Sequence, residues 1–221
     1  DKKVLILGTG GTSKTAYAVV KDLGAKTILK ASINGEVNTI TYEEAVNVHN
    51  DVEVIINTTP VGMYPKNDGC IIELSKFKKL TGLIDVVYNP LRTNLVLDAN
   101  SLNIPSEGGL YMLVGQAVYA CGLFLDKDID LSIIDTIFNK LKSDKENVVL
   151  IGMPSSGKTT IGKILSEKLN KKLIDTDDLI VNKIGMSIKD YMNNHTEKEF
   201  RDVETECVKE AAKMSNVVIA T

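Results

Sequence analysis

The chain has 221 residues, 43% hydrophobic and 25% charged, with a formal net charge of −3, the balance of an ordinary globular protein with a buried core. Acidic and basic residues are interspersed, which excludes the basic face that nucleic acid needs and the polybasic stretch that a membrane surface needs, and no run approaches the ~18 apolar residues of a membrane span. Cys70, Cys121 and Cys207 have neither zinc nor redox spacing, so the expectation is a cytoplasmic protein whose partners are small molecules; its oligomeric state is not written in the sequence.

Val4-Leu5-Ile6-Leu7 reads as a strand running into Gly8-Thr9-Gly10-Gly11-Thr12-Ser13-Lys14, after which Ala16, Val19, Val20 and Leu23 recur at helical spacing. Gly24-Ala25 ends that helix and Thr27 to Leu29 open another strand, a βαβ unit with a glycine-rich first turn. Such a turn offers backbone N–H groups and a helix N-terminus to a pyrophosphate. The pattern is GxGG rather than GxGxxG, because position 13 is Ser, and a purely structural turn stays open. Beyond the second strand, Lys30 and Glu36 are displaced candidates for reading a ribose or its phosphate.

Thr41 to Val48 reads as a helix and Val52 to Asn57 as a strand, followed by Thr58-Thr59-Pro60-Val61-Gly62-Met63-Tyr64-Pro65, a loop whose shape Pro and Gly fix. Leu83 to Tyr88 is a further apolar strand, stopped by Asn89-Pro90. Gly108-Gly109 opens an apolar helix, Leu110 to Leu125, in which the lone Gln116 is either a satisfied core amide or a ligand contact. Leu131, Ile134, Ile137, Phe138 and Leu141 form an amphipathic helix that ends in a polar run, and the domain boundary is placed near Ser143, giving regions 1–143 and 148–221.

The second region begins with the strand Val148 to Ile151 and then Gly152-Met153-Pro154-Ser155-Ser156-Gly157-Lys158-Thr159, a full match to GxxxxGK[ST]. Ile161, Ile164, Leu165 and Leu169 follow at helical spacing, so the context is strand, glycine loop, helix. In that context Gly152, Ser155, Ser156, Gly157 and Thr160 surround the phosphates of a ligand, Lys158 reaches the β/γ-phosphates and Thr159 holds Mg²⁺; an ordinary tight turn is the bland alternative. Phe200, Val203, Cys207, Ala211 and Met214 form a core stripe, whereas His49 and His195 have no partner spacing and receive no role. The chain starts at one strand and stops after another, Asn216 to Thr221, so both ends are expected to be cuts in a larger enzyme. A terminal strand left unpaired would be an aggregation liability.

Read together, Gly8-Thr9-Gly10-Gly11, Asn57 to Met63, Asp85 to Thr93 and Gly109 to Ala117 resemble the nucleotide-binding domain of shikimate dehydrogenases. The resemblance implies a Rossmann-type NAD(P)-binding domain in which Gly8, Gly10 and Gly11 hold the cofactor pyrophosphate. It further places Thr59, Val86, Gly109 and Met112 along the cofactor and Tyr88 and Gln116 on shikimate. In that family an Asn-Arg-Thr segment follows the second strand, its Arg on the NADP 2′-phosphate; here the aligned residues are Ser32-Ile33-Asn34. The family's catalytic Lys and Asp lie in a substrate domain ahead of the first strand.

The later motifs resemble shikimate kinases: the glycine loop, Leu173-Ile174-Asp175-Thr176-Asp177-Asp178, Ser187-Ile188, Glu197 to Glu204, and the strand Val217 to Ala220. This implies a P-loop NTPase-type domain with Asp175 holding Mg²⁺ through water and Lys158 and Asp177 as the catalytic pair. Asp177 accepts hydrogen bonds from shikimate hydroxyls, and Arg201, oriented by Glu204, pairs with the shikimate carboxylate. Thr196 stands where the family commonly has Gly, and the family's glycine triplet, lid Arg and later Arg fall past Thr221. The expectation is an α/β chain with mainly parallel sheets, a Rossmann-type domain followed by a truncated P-loop kinase domain. The intact protein would reduce 3-dehydroshikimate with NADPH and phosphorylate shikimate with ATP and Mg²⁺, and the fragment would be nearly inert. Two alternatives stand beside this reading: a non-catalytic nucleotide- and shikimate-sensing module, and an NAD-dependent quinate/shikimate dehydrogenase fused to a kinase.

Overall fold

Val4, Leu5, Ile6 and Leu7 are all buried, as an unbroken apolar run must be in a strand covered on both faces. The computed structural model describes residues 1–35, 37–153 and 155–221; Glu36, a candidate ribose reader, and Pro154 of the glycine loop lie outside the described residues. The chain divides into two units, Asp1–Asn139 and Lys140–Thr221.

The first unit runs β1 (Lys3–Leu7), α1 (Gly11–Asp22), β2 (Thr27–Ser32), β3 (Ile40–Thr41), α2 (Tyr42–Asn47), β4 (Val54–Asn57), β5 (Gly82–Asp85), α3 (Asn94–Ser101), β6 (Ser106–Glu107), α4 (Leu110–Leu125) and most of α5 (Ile133–Lys145). Its strands form one sheet in the order β3-β2-β1-β4-β5-β6, every neighbouring pair parallel. That order is the doubly-wound Rossmann arrangement, which reverses direction between β1 and β4. Alternate residues of β1 serve opposite layers: Leu5 and Leu7 pack with Ala45 of α2 and Leu95, Val96 and Ala99 of α3, while Val4 and Ile6 pack with Val20 of α1. Each such side chain taken fully from water contributes roughly 1.5–3 kcal/mol.

Three expectations need correction here. Of the α1 stripe only Val20 and, in part, Ala16 face the sheet, one helical turn apart; Val19 and Leu23 are exposed. β5 ends at Asp85 rather than Tyr88, because the Val87 N–H donates to the Asp85 carboxylate (3.1 Å) instead of to a neighbouring strand. α4 has the expected bounds, but Gln116 is exposed and so is no core amide; Leu110, Val114 and Val118 form the buried face against Ile134 of α5.

The second unit takes the end of α5, then β7 (Val148–Leu150), α6 (Lys158–Leu169), β8 (Lys172–Asp175), α7 (Thr176–Ile184), α8 (Ile188–Asn194), α9 (Glu197–Ala212) and β9 (Val217–Ala220). The sheet is parallel in the order β7-β9-β8, so β9 is paired on both sides and buried along its length. The terminal strand is thus not left unpaired, and the liability named for that case does not arise at β9; the edges are β7 and β8. Two clusters make the core: Ile174, Val217 and Ile219 with Ala211 of α9, and Ile180 of α7 with Phe200 and Cys207 of α9, as the α9 stripe predicted.

The α6 stripe, by contrast, does not pack as expected. Ile161 and Ile164 are exposed, and the helix meets the sheet through buried Gly162, where a Cβ would stand 2.8 Å from Leu173 Cδ1. Thr196 settles its own departure from the family pattern. It is an extended N-cap (φ −75°) whose hydroxyl accepts from the Glu199 N–H while the Glu199 carboxylate accepts from the Thr196 N–H, a capping box that needs no glycine. Buried Lys171 donates to the carbonyls of Ser143 (2.7 Å) and Glu146 (2.6 Å), satisfying acceptors that the end of α5 leaves without helical partners.

Candidate functional site

In open parallel sheets, ligands sit outside the carboxyl ends of the strands where the order reverses, and the first glycine turn lies there, between β1 and β4. Gly8 is left-handed (φ 102°), and a Cβ on it would approach Thr59 Cγ2 to 2.9 Å and Thr58 Oγ1 to 3.0 Å. Thr58 fixes the neighbouring loop by donating through N (2.9 Å) and Oγ1 (2.6 Å) to the Leu7 carbonyl. Gly10 caps α1 without a side-chain hydrogen bond, and a Cβ on Gly10 or Gly11 would meet nothing within 4 Å. Open space in front of a helix N-terminus fits an anionic pyrophosphate. At the end of β2, Ile33 is 80% exposed and the Ser32 hydroxyl is 3.1 Å from that of Thr39. Lys30 holds its ammonium 4.6 Å over the Tyr17 ring of α1, a cation–π contact.

The far wall of this site is built by backbone contact. A Cβ on Gly109 would lie 2.0 Å from the Val86 carbonyl oxygen, and the Gly109 N–H donates to the Val87 carbonyl at 2.9 Å. Only glycine brings the α4 N-terminus this close to the turn after β5. Met112, Tyr88 and Gln116 are exposed along α4 and on that turn.

A buried polar cluster beneath these loops was not foreseen. Asp85, wholly buried, accepts on Oδ1 from Asn57 Nδ2 (2.9 Å) and the Val87 N–H (3.1 Å), and on Oδ2 from the Thr93 hydroxyl (2.5 Å). Asn57 Oδ1 in turn accepts from the N–H (3.0 Å) and hydroxyl (2.7 Å) of Thr59. Burial pushes the Asp85 carboxyl above the usual carboxylate range, opposed by the bonds from Thr93, Val87 and Asn57. The sequence shows only two polar residues in apolar strand segments; the structure makes Asn57 and Asp85 the last residues of their strands and sets them opposite each other in the β4–β5 register.

In the second unit, Gly157 (φ 85°) caps α6 without a side-chain hydrogen bond, and Lys158 Nζ donates to the carbonyls of Gly152 and Met153, each at 2.9 Å. Thr159 Oγ1 donates to Asp175 Oδ2 at 2.8 Å, while Asp175 Oδ1 accepts from the Asp177 N–H at 3.0 Å and caps α7. A hydroxyl beside a carboxylate is a donor pair that suits Mg²⁺, which takes one or two carboxylates together with phosphates and waters. Among the described residues no group of three or more His, Cys, Asp or Glu side chains is gathered for a metal, and a Mg²⁺–nucleotide site needs none.

Asp177 is an exposed residue, but partial loss of water around its carboxyl pushes that group up, the negative charge of Asp175 adds to this, and Lys158 opposes it. Lys158, Asp175 and Asp177 therefore share one electrostatic neighbourhood, which Asp178 and Glu204 also reach. Arg201 is bound along its own helix, to Glu204 at 2.8 Å and to Glu197 at 3.8 Å. An exposed pair of this kind adds little to stability.

The shikimate kinase family model matches residues 154–221. A shikimate dehydrogenase (NADP(+)) of Clostridium perfringens is 32% identical over 147 residues, which are 62% of this chain and 54% of that protein. A shikimate kinase of Caldicellulosiruptor bescii is 49% identical over 76 residues, 34% of this chain and 44% of that protein. A chorismate mutase/shikimate 5-dehydrogenase fusion protein from Clostridium acetobutylicum has a crystal structure that aligns with a TM-score of 0.60 at 33% identity, covering 64% of this chain and 54% of that one. The chain spans about half the length of the curated relatives it matches. The chain thus joins a Rossmann-type region similar to shikimate dehydrogenases to a P-loop-type region similar to shikimate kinases.

Proposed function

We propose that the intact protein performs two consecutive steps, NADP-dependent reduction of 3-dehydroshikimate to shikimate and ATP-dependent phosphorylation of shikimate to shikimate 3-phosphate. The observation that carries this reading is the joining, in one chain, of two regions whose relatives are named for the same metabolite. The dehydrogenase region is taken as residues 1–143 and the kinase region as 148–221, in a cytoplasmic protein with small-molecule partners.

In the first region the Gly8, Gly10 and Gly11 turn and the α1 N-terminus receive the pyrophosphate of NADP(H), with Thr59, Val86, Gly109 and Met112 along the cofactor. Bound NADPH supplies the hydride; Tyr88 and Gln116 hold the shikimate skeleton. In the second region the loop residues Gly152, Ser155, Ser156, Gly157 and Thr160 cradle the ATP phosphates, and Lys158 exchanges its loop carbonyls for phosphate oxygens. Thr159 and Asp175 would hold Mg²⁺, which supplies charge neutralisation. Asp177, made more basic by burial and by Asp175, accepts the proton of the attacking hydroxyl. Arg201 turns its planar guanidinium from Glu204 to the shikimate carboxylate, for which it offers a two-pronged fit. The test is a coupled assay on the intact protein with 3-dehydroshikimate, NADPH and MgATP. Formation of shikimate 3-phosphate that stops in Lys158→Ala while NADPH oxidation continues is expected, and turnover of neither substrate would overturn the proposal.

A second reading, quinate/shikimate oxidation with NAD, is favoured by exposed Ile33 at the end of β2 and by the engagement of Lys30 with Tyr17. Turnover with NADP equal to or better than with NAD removes it.

A further inference from the structure

We infer that Asp85 is a positioning residue for the cofactor site, a buried carboxylate that fixes the Thr59 loop, the Val86–Tyr88 turn and the N-terminus of α4 relative to one another. The inference rests on the cofactor reading of the first unit.

The contacts form one cluster. From Oδ1, Asp85 reaches Asn57, and Asn57 reaches Thr59 through both its N–H and its hydroxyl. The same Oδ1 holds the Val87 N–H, and the Val87 carbonyl accepts from Gly109, the cap of α4. From Oδ2, Asp85 holds the hydroxyl of Thr93, the cap of α3, whose Oγ1 also accepts from Val96 N at 3.3 Å. Thr93 also stands beside the first loop, where a Cβ added to Gly62 would come within 3.3 Å of the Thr93 Cβ. The loop that carries Thr59 is therefore anchored at Asn57, through Asp85, and passes close to Thr93 at Gly62.

The chemistry of the acceptor matters. Asn57, Val87 and Thr93 all present donors, and an ionised carboxylate is the side chain that accepts on both oxygens without offering a donor of its own. Filling this place with an apolar residue would avoid burying a charge, but would leave the Thr59 loop and the Val87 turn with no common anchor. A site of this kind works only when supporting groups hold its lining within a fraction of an ångström.

The experiment compares Asp85→Ala, Asp85→Asn and Leu83→Ala in the full chain. Leu83 is a buried core residue on the same strand and makes no hydrogen bond of the cluster through its side chain, so Leu83→Ala controls for lost core packing, with the urea midpoints measuring how much stability each variant loses. NADPH and MgATP affinities are read by fluorescence titration, stability by urea denaturation, and the Thr59 and Val87 amides by hydrogen exchange. Asp85→Ala is expected to bind NADPH about tenfold more weakly with MgATP affinity unchanged. Asp85→Asn, which keeps an oxygen for Asn57 and Val87, recovers most of the loss, and Leu83→Ala keeps NADPH affinity. Folded Asp85→Ala with wild-type NADPH affinity overturns the inference, as does an equal loss in Leu83→Ala. Should Asp85→Ala fail to fold, Thr93→Val, which removes one donor and keeps the shape, must weaken NADPH binding for the inference to stand. A wild-type chain that binds no NADPH overturns the cofactor reading instead. Exchange at Thr59 and Val87, faster in Asp85→Ala than in Leu83→Ala, then still decides whether Asp85 holds the loops.

Discussion

The two glycine turns of this chain solve different electrostatic problems. The turn after β1 has no side-chain cap and open space at Gly10 and Gly11, and its first cation, Lys14, comes only at the fourth residue of α1. The loop after β7 sets Lys158 and Thr159 at the first helical positions of α6 and joins Thr159 to a carboxylate. A dinucleotide keeps its pyrophosphate intact throughout hydride transfer, so backbone amides and a helix N-terminus suffice to hold it. A transferred phosphoryl group redistributes charge as it moves, and positioned cations must meet it. On the proposed reading, the difference between the loops follows from what happens to the phosphate rather than from its presence.

That comparison can be broken from either side. The largest effect is expected from Lys158→Ala, which removes a charge-assisted contact of roughly 1.5–3 kcal/mol, about ten- to a hundredfold in MgATP affinity. NADPH affinity should not move, and paired titrations of the two nucleotides check both halves of the statement. Gly109→Ala is the converse. Its Cβ would collide with the Val86 carbonyl, so the first unit should lose about 1–3 kcal/mol and NADPH affinity, with MgATP binding intact; urea denaturation followed by the same titrations reads this. Thr196→Ala opens the capping box of α9, the helix that carries Arg201, and should cost about 1 kcal/mol of second-unit stability, measured by thermal unfolding.

The smallest effect concerns pH. The Asp177 carboxyl is raised in the folded state, so its ionisation disfavours folding: the penalty is absent below the ordinary carboxylate pKa, where the acid is neutral in both states, and grows as pH rises through the folded value. Asp177→Asn should therefore be slightly more stable than wild type at neutral pH, and the difference should vanish in acid. Denaturation midpoints of both proteins across pH 3–7 test the sign, and a variant less stable than wild type at neutral pH would refute it.

How much of this was legible in the sequence depends on the distance over which each feature is encoded. Both glycine turns were legible because strand, turn and helix lie within a few dozen residues and each step has its own local pattern. The bounds of α4 and the core stripe of α9 were legible for the same reason. The Asp85 cluster was not, because Asn57 stands 28 residues before Asp85 and Thr93 8 after it, and only the parallel register brings them together. The α6 stripe misled for a different reason. Periodicity identifies which residues are apolar, but Gly162 lets the backbone approach the sheet so closely that the contact face turns away from Ile161 and Ile164. Gln116 was likewise readable as the lone amide of an apolar helix, though not as an exposed one, since α4 buries only the face of Leu110, Val114 and Val118.

The central place of β9 governs how the second unit can assemble. β7 and β8 never touch through their backbones; each reaches the other only across β9, and the Val217 N–H bonds to Asn147, 70 residues earlier. Among the described residues, β7 therefore has no native sheet partner until β9 has been made. Non-local pairing of this kind is slow and leaves strand edges open to other chains. Ribosome-bound chains stopped before Val217 should thus be the ones that recruit chaperones most strongly, and release of that dependence should coincide with the emergence of Val217–Ala220.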